Sequence, residues 1–132
     1  MASLDTPQLA GAKDHYKKAA VSLSAGDFAG SMRESIHAVE SLTKALTGKS
    51  TVQEGLKTLA KQKHLNVTLA DALEKVAAWT NAVAGIRHAN APGAPGADVT
   101  EDDALYMLAI CGATISYLKL RGATAGLLDA DR

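Results

Sequence analysis

Two groups of residues in this chain combine types and spacing that suit chemistry. One is the run Gly85-Ile86-Arg87-His88-Ala89-Asn90. An arginine binds a phosphate through two parallel N–H donors and steadies the charge that develops on it. A histidine titrates near neutral pH and can move the proton of a ribose 2′-hydroxyl, the step that cuts RNA without a metal. The other group is Arg33, Glu34, His37, Glu40 and Lys44. At about 100° per helical residue, Arg33, His37, Glu40 and Lys44 share one narrow stripe. Glu34 is placed to orient an arginine or an imidazole. The catalytic candidates are therefore Arg87 and His88, with Arg33, Glu34, His37 and Asn90 as binding or supporting residues.

Each group also has a purely structural reading. Arg87, if its helix stays regular, projects from the same line as Leu69, Leu73, Val76 and Val83. A guanidinium in line with an apolar stripe must snorkel out, pair with a carboxylate or line a pocket. Near a helix C-terminus, Arg87 and His88 would also complement the dipole and cap the last carbonyls. The stripe from Arg33 to Lys44 reads equally as a solvated face with pairs three and four residues apart, or as the polar wall of a cleft or dimer seam.

The elements that must position these residues are marked by punctuation. Thr6-Pro7 opens a helix running to about Ser24, with Ala25-Gly26 ending it. Asp27 caps a second helix, ending near Thr47-Gly48, in which Phe28, Met32, Ile36, Val39, Leu42 and Leu46 recur at helical spacing. Thr51 with Glu54 forms a capping box for a short third helix, Val52 to about Lys61. Thr68 with Asp71 opens a fourth. The stretch from Ala91 to Ala97, with two prolines and two glycines, reads as a loop. Thr100 with Asp103 caps a fifth helix through about Leu120. That helix is apolar on more than one side: Leu108, Cys111, Ile115 and Leu118 form one stripe, while Tyr106, Ile110 and Tyr117 lie off it. Such a helix is central to a bundle or shared with a second chain. No stretch alternates with period two, so no sheet is predicted. The expectation is an all-α fold, four long helices and one short one, in a single domain over residues 1–120 with a flexible tail over 121–132.

Composition sets the outer bounds. The 132 residues carry 14 Lys+Arg against 14 Asp+Glu, which excludes a strongly basic nucleic-acid sleeve or a polybasic membrane binder while leaving room for a local basic patch. A 47% hydrophobic, 21% charged chain is a globular composition, and its 4% aromatics with abundant alanine favour close-packed helices. The single cysteine, Cys111, excludes an intrachain disulfide and reads as a buried, inert thiol. No secretory h-region is present, and the apolar run Leu105 to Leu118 is broken by Gly112, Thr114 and Ser116, short of the roughly 20 residues a span needs. A cytoplasmic protein without a membrane partner is expected. There is no phosphate-binding Gly-rich loop, His-Glu-x-x-His or nucleophile elbow, and neither cofactor nor metal is expected.

The stretches Met32 to Leu42, Ala78 to Asn81, Gly85 to Ala89 and Glu101 to Ala113 together resemble the helical HEPN superfamily, closest to the HEPN-like domains of abortive-infection (AbiJ-type) proteins. The resemblance covers roughly Tyr16 to Lys119. It implies an antiparallel bundle, usually dimeric, whose active members are metal-independent endoribonucleases of antiphage defence or toxin systems. It also implies RNA as a partner, and a partner domain or antitoxin. The family's motif is an Arg, a polar residue, then a His four to six residues after the Arg. Arg87 and His88 fit its first half, but the following region reads Ala91, Pro92, Gly93. Three outcomes stay open: His88 substitutes, His37 reaches in from the second helix, or nuclease chemistry has been lost and an RNA- or nucleotide-binding domain remains. Against these stand a non-catalytic dimerisation or partner-binding module, and a bundle holding a small molecule between its helices.

Overall fold

The computed structural model describes residues 9–82 and 99–128. The fold is all-α: five helices, with no strand among the described residues. They are α1 (Ala10–Ser24), α2 (Phe28–Thr47), α3 (Val52–Lys61), α4 (Val67–Ala82) and α5 (Glu101–Thr124). Thr6, Pro7, Val83, Arg87, His88, Asn90 and the loop expected from Ala91 to Ala97 lie outside the described residues.

Local chemistry explains most of the boundaries. The Asp27 carboxylate accepts from the Gly30 N–H at 2.9 Å and starts α2. Gly48 ends it in the left-handed region, φ 77°, where its N–H reaches the Lys44 carbonyl at 2.7 Å. Thr51 accepts from the Glu54 N–H at the start of α3. Thr100 and Asp103 cap α5 reciprocally.

Two boundaries depart from expectation. Helix α4 begins at Val67, and its cap is Asn66, whose Oδ1 accepts from the N–H groups of Thr68 and Leu69 at 2.8 and 3.1 Å. The expected Thr68 cap is therefore already inside the helix. Helix α5 continues to Thr124, beyond the expected end at Leu120. The segment from Arg121, expected to fray, instead carries the last helical turn, and Leu128 folds back to 5% exposure in the core. Arg121 Nε donates to the His64 carbonyl at 3.0 Å and ties this turn to the α3–α4 connection. Residues 129–132 lie outside the described set.

Helix α2 is the hub, packing against each of the other four helices. Its Met32, Ala38 and Leu42 are fully buried, and Ile36, Val39 and Leu46 nearly so. Such burial stabilises by roughly 1.5–3 kcal/mol for each large side chain. Three contacts fix how α1 lies on it. Gly11 faces Ser41, His15 meets Glu34, and the Ser31 hydroxyl donates to the Ala19 carbonyl at 2.8 Å. These pairs run in opposite chain order, so α1 and α2 are antiparallel. Tyr16, at the level of Glu34, donates to the Leu108 carbonyl at 2.9 Å, while Leu46 meets Gly122. Helix α5 thus runs in the same direction as α2.

The faces of α4 and α5 follow packing more than side-chain size. On α4 the buried residues are Ala70, Ala77 and Thr80, with the expected Leu69, Leu73 and Val76 half-buried along one side of that line. Small residues bring the helix close, and the larger ones fill that flank. On α5, Ala104, Met107, Cys111, Thr114, Ile115, Leu118 and Gly122 face the core. Leu105, Tyr106, Tyr117 and Leu120 are exposed on its other side. By length and composition α5 is apolar enough to cross a membrane. Core helices share that property, but only one line of α5, Met107 to Leu118, packs into the bundle, and 28% of the apolar stretch is buried.

Candidate functional site

The polar residues of α2 are not a solvated face. Arg33, Glu34, His37 and Glu40 are each half-buried, and of the stripe only Lys44 stands exposed. The cover comes from α1. A Cβ on Gly11 would lie 2.5 Å from the Ser41 hydroxyl, so the absent side chain lets the two backbones close on each other there. One turn further along α1, this approach delivers His15 to the α2 stripe.

The resulting cluster is His15, Glu34 and His37. His15 Nδ1 lies 2.6 Å from Glu34 Oε1. The rings of His15 and His37 meet edge to face, centroids 5.5 Å apart and planes at 73°. An ionised carboxylate only accepts, so in the neutral imidazole Nδ1 of His15 carries the proton and Nε2 keeps the lone pair. That carboxylate–imidazole pair is the arrangement that orients a histidine for proton transfer. Side-chain exposures of 34% for His15 and 18% for Glu34 leave the cluster reachable from solvent while restraining it. One donor atom from each of the three residues lies within 4.8 Å of the others, a geometry that can also hold a metal ion.

Of the residues singled out from sequence, the structure brings Glu34 and His37 together and keeps Arg33 beside them on α2. It adds His15, which the sequence reading missed. Nothing local marks His15: it lies in the polar run Lys13-Asp14-His15, 19 positions before Glu34, and only the antiparallel register of α1 on α2 joins them. Arg87, His88 and Asn90 lie outside the described residues, so their distance to this cluster is not part of the geometry.

Other features are less suited to chemistry. Cys111 is buried beside Met107, its Sγ 3.5 Å from the thioether sulfur, and burial pushes its thiol up to about 12. It is the inert thiol expected. Tyr16 is also raised, by burial first and by Cys111 second. A groove of about 250 Å³ between α3 and α4 is lined by Gln53, Asp71, Glu74, Lys75 and Ala78. Its charged, open walls lack the apolar enclosure of a small-molecule site. No family model, curated protein or solved structure matches the chain.

Proposed function

We propose that the chain is a HEPN-like helical domain working in the cytoplasm in RNA-linked antiphage or abortive-infection defence. It acts either as a metal-independent endoribonuclease or as a non-cleaving relative that binds RNA or nucleotide. The observation that carries this reading is the half-buried His15–Glu34–His37 cluster, in which Glu34 and His37 lie on the hub helix within the Met32 to Leu42 stretch on which the family resemblance partly rests, and His15 joins them from α1. Two imidazoles, one oriented by a carboxylate, are the groups that remove a 2′-hydroxyl proton and return one to the leaving oxygen. Arg87 supplies phosphate recognition in this reading and His88 a further acid or base. Both roles rest on residue type and resemblance.

The test is incubation of the purified chain with labelled single-stranded RNA and tRNA in EDTA, beside Arg87→Ala, His88→Ala and His37→Ala. Cleavage or binding that persists in EDTA and is lost in Arg87→Ala, with helical circular dichroism unchanged, is the expected result. Wild-type activity in a folded Arg87→Ala variant overturns that assignment.

A second reading is favoured by the exposed apolar side of α5: a non-catalytic module whose work is to pair with a second copy of itself or with another protein. It predicts that Arg87 and His88 tolerate replacement while charges on α5 abolish association.

A further inference from the structure

We propose that His15, Glu34 and His37 form a binding site for a divalent transition-metal ion of the zinc class, which clamps α1 to α2. Glu34 and His37 stand three residues apart on α2 and so project from one side of the helix, a turn apart. His15 comes across from α1, so the donor set spans the interface between the two helices. Two imidazole nitrogens and one carboxylate oxygen make a set that suits zinc, cobalt or nickel, whereas magnesium and calcium favour all-oxygen shells.

The distances fit with small side-chain movements. Ligand bonds of about 2.0–2.2 Å place the donors of a tetrahedral ion roughly 3.3 Å apart. The 2.6 Å His15–Glu34 contact must open slightly, with the His15 proton passing from Nδ1 to Nε2 so that Nδ1 can ligate, and the wider separations, none above 4.8 Å, must close. The backbones are already fixed by the close Gly11–Ser41 approach and by the Ser31–Ala19 hydrogen bond on either side of the cluster. Glu34 offsets part of the ion's charge, and the partly exposed His15 leaves a fourth position for water. With three protein ligands and an open position, the site has the coordination number of a catalytic rather than a closed structural centre. The site shares its residues with the RNA reading: an ion on the imidazole nitrogens takes the lone pairs that proton transfer needs, so zinc should suppress any cleavage seen in EDTA, while the zinc isotherm itself is measured without RNA and stands or falls alone.

Calorimetric titration of the tag-free full chain with zinc chloride tests it, with cobalt chloride followed by visible absorption and magnesium chloride as the oxygen-preferring control. One equivalent of zinc per chain is expected, no saturable magnesium binding, and cobalt bands of four-coordinate intensity. Glu34→Gln should weaken zinc binding roughly tenfold or more. The His15→Ala/His37→Ala double variant should lose it, and His64→Ala should bind as wild type. Because the double variant removes a helix–helix contact, the wild-type imidazole resonances provide a measurement free of substitutions: those of His15 and His37 must shift with zinc while that of His64 does not. Absence of a one-to-one zinc isotherm overturns the proposal, as does equal affinity in the double variant or a zinc response confined to another histidine.

Discussion

At the scale of single residues, burial decides what a side chain can do more firmly than its type. Cys111 is a nucleophile by composition, yet at 1% exposure its thiol is pushed up to about 12 from an ordinary value of 9.0. Below about pH 9 the thiol is protonated in folded and unfolded chains alike, and it contributes no pH dependence. Between about 9 and 12 the unfolded chain releases the proton while the folded chain retains it, so stability falls as pH rises across that window. Tyr16, raised in the same direction, adds to the loss. Melting temperatures measured from pH 8 to 11 should therefore decline, and Cys111→Ala should flatten the decline even though its cavity lowers stability at pH 8. A thiol reagent should label wild-type Cys111 only as fast as the chain opens. Rapid labelling of the native protein at pH 8 would show that the thiol is not sealed. His15 makes the opposite point. It sits in an unremarkable polar run and gains a role only because Glu34 is 2.6 Å away.

At the scale of helices, most boundaries were legible because the capping chemistry is local. Asp27, Gly48, Thr51 and the Thr100–Asp103 pair act within three or four residues of themselves, and each works as its type suggests. At α4 the capping-box spacing of Thr68 and Asp71 drew attention away from Asn66, the better N-cap type two residues earlier, whose side chain takes two N–H groups at once. The last turn of α5 and the burial of Leu128 were not legible because Leu127 and Leu128 follow Gly126 and look isolated in sequence. The glycine turns the chain, φ 75°, so that Leu128 folds onto Gly122. The His15–Glu34 pairing was illegible for a different reason, since helix register is a property of two elements and not of either sequence. One helix end carries a cost that can be measured. After α3 the chain turns at Lys63, a non-glycine residue at φ 65°, with its N–H on the Ala60 carbonyl. The left-handed region costs a residue with a Cβ roughly 1 kcal/mol, a cost glycine escapes. Lys63→Gly should accordingly raise the urea midpoint, by up to about 1 kcal/mol of stability after the glycine's greater unfolded-state entropy is subtracted. A lower midpoint would mean that the lysine side chain holds the turn.

At the scale of the whole molecule, the distribution of apolar surface on α5 is what the isolated chain leaves unexplained. At about 100° per residue, Leu105, Tyr106, Ala109, Ala113, Ser116, Tyr117 and Leu120 fall within an arc of about 120°, opposite the buried line. All seven are exposed. Between Asp102 and Arg121 this arc carries no charge, and its middle positions are the small Ala109, Ala113 and Ser116 with large side chains toward both ends. Small residues at the centre let a second helix approach closely, and the flanking leucines and tyrosines supply area. A two-fold axis through that centre would set the same face of a second copy against it, because a self-complementary patch closes as a dimer and leaves nothing to polymerise. The lone α5 arc must still bury about 800 Å² per partner for a stable pair, so Tyr106 and Tyr117, with the largest side chains, should supply most of the affinity. Sedimentation equilibrium should give a wild-type dimer. Ala113→Glu should place two like charges at the axis and yield monomers with the helical spectrum unchanged, since that position points away from the core. Tyr117→Ala should weaken association roughly tenfold or more, a cost above about 1.4 kcal/mol. If the wild-type chain sediments as a monomer at high micromolar concentration, the arc serves another partner or another part of this chain. If Ala113→Glu remains dimeric, the pairing surface lies elsewhere on the bundle.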